Sequence, residues 1–257
     1  MTIRQQLGQK DRPNLVFLHG FLGTHHDWLK IAEPLSQQFR CHLIDLPGHG
    51  QNLERLSLSE FCESLHQELN KHKIQNSHLI GYSMGGRIAM TLALKSPQSF
   101  QSLIIISAHF GLDCPKKRAE RLNIDQQRQR QICKDYPNFL EQWYQAPLWG
   151  DWPTKTEFPH YYQQRSQQDP ENMAWAMATF SLGRQKDLYT QLRQLNTPQL
   201  YISGQKDLKY HQLYKDLCPL LPNASHISIP NAYHCPQLSH AKSIRNHILN
   251  WVNKHRQ

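Results

Sequence analysis

The sequence predicts an α/β fold with a mostly parallel central sheet flanked by helices. Three observations point there. Short, continuous apolar runs recur along the chain. Helical patterns alternate with them, and most of the runs close on a turn signal. An uninterrupted apolar run reads as a strand buried on both faces, the habit of parallel sheets. The order strand–helix–strand–helix then implies right-handed crossovers.

The elements follow in order. Leu15-Val16-Phe17-Leu18 is the first strand and runs into His19-Gly20. Cys41-His42-Leu43-Ile44 is the second, closed by Asp45-Leu46-Pro47-Gly48-His49-Gly50. Leu58, Phe61, Leu65 and Leu69 recur at helical spacing, and Ser57 with Glu60 forms the pattern of a capping box. Ser77-His78-Leu79-Ile80 is the third strand, closed by Gly81, and a helix carrying Ile88, Leu92 and Ala93 starts near Ser83. Leu103 to Ile106 is the fourth strand, Gln199 to Gly204 the fifth and His226 to Ile229 the sixth. Ile244, Ile248, Trp251 and Val252 mark an amphipathic C-terminal helix. From His109 to Leu195 no strand is evident, and the stretch is rich in Arg, Gln, Trp and Tyr. We read 109–195 as a helical cap inserted into a core formed by 1–108 and 196–257.

Composition sets limits. A chain of 257 residues can bury a large core. It carries 29 Lys and Arg against 20 Asp and Glu, a net charge of +9. That excess admits nucleic acid, an anionic membrane or an anionic small molecule as partner. No helix-turn-helix, zinc or RNA-recognition pattern is present, which argues against nucleic acid. No apolar stretch approaches the ~18 residues of a spanning helix, and the first residues hold no signal-like apolar run. The six cysteines are widely spaced, as expected of reduced thiols in a cytoplasmic protein.

Chemistry enters at Gly81-Tyr82-Ser83-Met84-Gly85-Gly86, which matches G-x-S-x-G between a predicted strand and a predicted helix. Such an elbow lifts a serine onto a sharp turn at a helix N-terminus, where backbone N–H groups favour developing negative charge. A serine nucleophile or base needs a histidine, and the histidine needs an orienting carboxylate. Asp207 and His234 each follow a predicted strand, in the chain order this architecture requires. Asp113 is the rival acid, and Asp45 reads as a turn residue. The backbone N–H groups of Met84 and Phe21 are placed to form an oxyanion site.

Taken together, His19-Gly20-Phe21, Asp45 to Gly50, the elbow, Gly204 to Asp207 and His234 resemble the α/β-hydrolase superfamily over nearly the whole chain. One departure is Tyr233, where that superfamily usually has glycine before the histidine. Gly86-Arg87-Ile88-Ala89-Met90, Arg118-Ala119-Glu120-Arg121 and Trp143-Tyr144-Gln145 are similar to a narrower family, the 2-succinyl-6-hydroxy-2,4-cyclohexadiene-1-carboxylate synthases of menaquinone biosynthesis. That resemblance implies a lyase expelling pyruvate from a substrate with three carboxylates, with no cofactor, no metal and no obligate protein partner. It assigns substrate binding to Arg121, Arg165 and Lys209, while Arg87 one turn after the elbow, Tyr82 beside the serine and Trp143 read as further substrate-binding residues of the pocket. Between Lys116 and Lys134 there are seven cationic and two acidic side chains, and Lys116, Lys117, Arg128 and Arg130 read as a solvated face. A carboxylesterase or thioesterase using the same three residues by acyl transfer is the alternative.

Overall fold

A computed structural model describes residues 3–255. Seven strands form one sheet: β1 (Ile3–Leu7), β2 (Asn14–Leu18), β3 (Arg40–Ile44), β4 (Ser77–Tyr82), β5 (Phe100–Ile106), β6 (Gln199–Gly204) and β7 (Ala224–Ile229). Their spatial order is β1-β3-β2-β4-β5-β6-β7, and every pairing is parallel except β1 with β3. The edge strand β1 was not expected. Its Ile-Arg-Gln-Gln-Leu alternates burial and exposure, and only Ile3 is fully buried, so it carries too few apolar residues to form a run.

The eleven helices among the described residues are α1 (Leu29–Leu35), α2 (Leu58–Lys71), α3 (Met84–Lys95), α4 (Pro115–Lys134), α5 (Tyr136–Gln145), α6 (Phe158–Ser166), α7 (Pro170–Thr179), α8 (Tyr189–Leu192), α9 (Leu208–Leu217), α10 (Pro236–Ser239) and α11 (Ala241–Lys254). Alternate residues of each central strand serve opposite faces. Leu15 and Phe17 join Ile31 of α1 and Ile248 of α11 in one apolar cluster. Val16 and Leu18 join Phe61 of α2 and Ile88 of α3 in the other. The Ser57 hydroxyl accepts the Glu60 N–H, and the Glu60 carboxylate accepts the Ser57 N–H, so the capping box forms as read.

All strands after β1 point the same way, so the loops that leave β2, β3, β4, β6 and β7 gather at one edge of the sheet. Open α/β sheets hold their ligand sites at that edge. Helices α4 to α7 lie between β5 and β6 in the chain, and α4 packs on α7. Helix α8 packs on α3. The aromatic side chains Tyr136, Phe139, Tyr144 and Trp149 of this segment merge with the cluster under α1 and α11. No helix among the described residues is long and apolar enough to cross a membrane.

Candidate active site

Strand β4 delivers Ser83 into a backbone conformation of φ 49° and ψ −110°. A non-glycine residue held there stores on the order of 1–3 kcal/mol of strain. Its N–H is tied to the Ile106 carbonyl at 2.9 Å. The turn is tight enough that a Cβ at Gly85 would overlap the carbonyls of Leu18 and His19, and one at Gly81 would meet the backbone of Gly85 and Gly86. These two positions must therefore be glycine for α3 to start directly over β4.

The Ser83 Oγ lies 3.3 Å from His234 Nε2, and His234 Nδ1 lies 2.7 Å from Asp207 Oδ2. Asp207 and His234 are both about 6% exposed, so the pair is screened from bulk water. Asp207 follows β6, where its N–H donates to the Gly204 carbonyl. The rings of Tyr82, Trp149 and Tyr210 surround the imidazole, with centroids 5.5, 5.9 and 5.0 Å away. Among the described residues, no acceptor engages the N–H of Phe21 or of Met84.

The loop bearing Phe21 is locked by two buried histidines. His19 Nε2 accepts the Leu46 N–H at 3.0 Å, while its Nδ1 faces the Gly20 carbonyl at 2.8 Å. His49 Nε2 accepts the Leu22 N–H at 3.2 Å, and its Nδ1 faces the Pro47 carbonyl at 3.0 Å. Each ring is thus held as a neutral tautomer, donating through Nδ1. Burial, chiefly, lowers the pKa of His19 to about 3 and that of His49 to about 4. Asp45 is more than a turn residue: buried, it accepts the His25 N–H at 2.8 Å and the Gln51 N–H at 3.3 Å.

Above Ser83 lies a cavity of about 250 Å³. Phe21, Tyr82, Ser83, Met84, Arg87, Arg121, Trp143, Asp207, Lys209 and His234 all line it. Arg165 does not. Arg165 is 3% exposed and its guanidinium clasps Asp27, with Nη2 2.7 and 2.6 Å from the two carboxylate oxygens. The expectation that Arg165 binds substrate is corrected: it is a buried ion pair between α6 and the loop after β2. Among the expected acids, Asp113 is exposed and 3.7 Å from Lys117.

Arg128 does not lie on the solvated face expected of it from the sequence. Lys116, Lys117 and Arg130 are exposed, but Arg128 lines the cavity and lies 5.2 Å over the Trp143 ring. Asp125, 1% exposed, organises this wall. It accepts Arg121 Nε at 2.8 Å, Arg128 Nη1 at 3.1 Å and the Ser181 hydroxyl at 2.7 Å. Among the described residues Arg121 spends only its Nε, so both of its terminal nitrogens remain for a ligand. Arg87 donates to Gln185 Oε1 at 2.9 Å and to the Phe180 carbonyl at 2.6 Å. Burial, then the Arg121 charge, lowers its pKa to about 10, which leaves it protonated at neutral pH. Burial of the ammonium, then Arg121, lowers the pKa of Lys209. Tyr210 and Trp149 also line the cavity and were not foreseen. The signal for Tyr210 is its position three residues beyond Asp207 on α9, one turn along the same helix face.

Among the described residues, no group of three or more His, Cys, Asp or Glu side chains is placed to hold a metal. Fold and site together define an α/β enzyme whose serine faces a histidine–aspartate pair beneath a cationic cap. The alpha/beta hydrolase fold family matches residues 13–241. A 2-succinyl-6-hydroxy-2,4-cyclohexadiene-1-carboxylate synthase of Citrobacter koseri is 32% identical over 234 residues, covering 88% of this chain and 92% of its own. The enzyme of that name from Yersinia pseudotuberculosis is 36% identical over 206 residues, 78% of this chain and 75% of its own. The solved structure of MenH from S. aureus superposes with a TM-score of 0.94 at 27% identity, covering both chains completely. An esterase from Thermogutta terrifontis shares the fold at a TM-score of 0.83 and 20% identity, covering 98% of this chain and 93% of its own. The chain belongs to the alpha/beta hydrolase family and, within it, to the 2-succinyl-6-hydroxy-2,4-cyclohexadiene-1-carboxylate synthases.

Proposed function

We propose that the protein is the lyase of menaquinone biosynthesis that eliminates pyruvate from 2-succinyl-5-enolpyruvyl-6-hydroxy-3-cyclohexene-1-carboxylate. The product is 2-succinyl-6-hydroxy-2,4-cyclohexadiene-1-carboxylate. The observation that carries this reading is the Ser83–His234–Asp207 relay opening onto a cavity walled by Arg87, Arg121, Arg128 and Lys209. Four cations suit a substrate with three carboxylates, because guanidinium forks hold carboxylates bidentately.

His234, oriented by Asp207, takes the Ser83 proton. The serine oxygen then removes the ring proton alpha to the succinyl carbonyl. The N–H groups of Phe21 and Met84 hold the enolate oxygen that forms. Electrons move through the ring double bond, the carbon–oxygen bond to the enolpyruvyl group breaks, and the leaving enolate takes up a proton to become pyruvate. The elimination is redox-neutral, so proton transfer and charge stabilisation by these groups suffice. We place the enzyme in the cytoplasm, acting on a free anionic small molecule without nucleic acid, membrane or an obligate protein partner.

Purified protein given the enolpyruvyl substrate will release pyruvate. Ser83→Ala will lower kcat by about a thousandfold or more while KM changes little, since the serine acts in the transition state. A protein that ignores this substrate and hydrolyses acyl-CoA or nitrophenyl esters with an acyl-enzyme burst would instead be a thioesterase or carboxylesterase.

A further inference from the structure

His234 is held from two sides. On the core side, the Lys206 N–H donates to the Ala232 carbonyl at 2.8 Å, and the carbonyls of Ala232 and Tyr233 press on Gly204 so closely that no Cβ fits there. On the cap side, the His234 N–H donates to the Leu148 carbonyl at 3.2 Å. Trp149 is buried edge-on to the imidazole, with an interplanar angle of 77°. The next residue, Gly150, sits at φ 53°, and a Cβ there would overlap the Tyr233 ring. The Lys206 ammonium lies 5.4 Å from the centroid of that ring.

The Pro147–Trp149 turn follows α5, the helix that carries Trp143 of the cavity wall. The cap therefore reaches the histidine loop through this short turn, and the Tyr233 ring packs against Gly150 just after it. We infer that Tyr233, seated on Gly150, is a positioning residue that docks the cap turn onto the histidine loop and so sets the imidazole of His234 against Ser83. Its part in turnover rests on the reading of His234 as the base. The docking itself does not.

Two readouts separate the two claims. The first is kinetic. Tyr233→Phe keeps the ring and will hold kcat within about twofold. Tyr233→Gly will lower kcat about tenfold or more, with KM within about threefold, and will displace the acid limb of the kcat–pH profile. Gly150→Ala carries its own backbone strain, so it is read through a double-mutant cycle. It will cost about tenfold more beside Tyr233 than in the Tyr233→Gly background. The second readout is amide hydrogen exchange at residues 148–150 and 234, which needs no substrate. It will accelerate about tenfold in Tyr233→Gly and stay unchanged in Tyr233→Phe. Wild-type exchange in Tyr233→Gly, or additive effects in the cycle, overturns the docking role. Altered exchange with wild-type kcat and pH profile overturns the positioning role. Should Tyr233→Gly fail to fold, Tyr233→Ala and Tyr233→Leu replace it under the same criteria. Wild-type protein that releases no pyruvate removes the lyase reading and leaves the exchange result to judge the contact.

Discussion

Arg128 and Arg130 lie two residues apart on one helix and have different environments. Arg130 is solvated, whereas Arg128 is anchored by buried Asp125 and stacked on Trp143. A charge-assisted hydrogen bond to a carboxylate contributes about 1.5–3 kcal/mol. Arg128→Gln will therefore raise KM roughly tenfold or more with kcat within about threefold, while Arg130→Gln leaves both unchanged. Steady-state kinetics on the two variants decide it, and equal effects would return Arg128 to the solvated face. The sequence could not separate them, because both sit in one run of cations and the separation depends on which way α4 is rolled. That roll is set by Asp125 and Ser181, which lie 56 residues apart. Arg165 fails for a related reason: its partner Asp27 is 138 residues away, and no local pattern announces the pair.

At the level of elements, legibility followed local chemistry. The capping box at Ser57 and Glu60 is written in four consecutive residues, and α2 begins where that box places it. Ser57→Ala will cost about 1 kcal/mol and lower Tm by roughly 2–4 °C, leaving kcat unchanged, because α2 contributes nothing to the cavity. Differential scanning calorimetry beside a kinetic assay tests it, and a fall in kcat would show that α2 reaches the site. The elbow was equally legible, since its glycines are required by contacts within the strand–turn–helix unit. Strand β1 was not. It earns its place by pairing with β3, and only that distant partner makes its alternation meaningful. Trp149 was missed because a short turn in the cap gives no periodic signal, and its value lies in reaching the histidine loop.

For the whole molecule, the buried neutral histidines tie stability to pH. His19 and His49 keep pKa values of about 3 and about 4 in the fold, below the ordinary value of 6.5. The unfolded chain takes up these protons first, so the stability they permit is complete above pH ~6.5 and is lost as pH falls through about 4 for His49 and about 3 for His19. Each can contribute up to about 1.4 kcal/mol per pH unit across that window. Urea midpoints will drop between about pH 7.5 and about pH 5, and the loss will be smaller in a His49→Gln variant. A flat profile would show that these rings protonate in place. The same protonation would release the loop that presents the Phe21 N–H, so activity and stability decline together in acid. The separation of Ser83 and His234 by 151 residues carries a consequence of another kind. A ribosome adding about 5–20 residues per second exposes the serine roughly 8–30 s before it completes the histidine loop. Through that interval the nascent chain carries a serine with no base beside it, so the reactive centre is armed only after the cap and the last strand have been made.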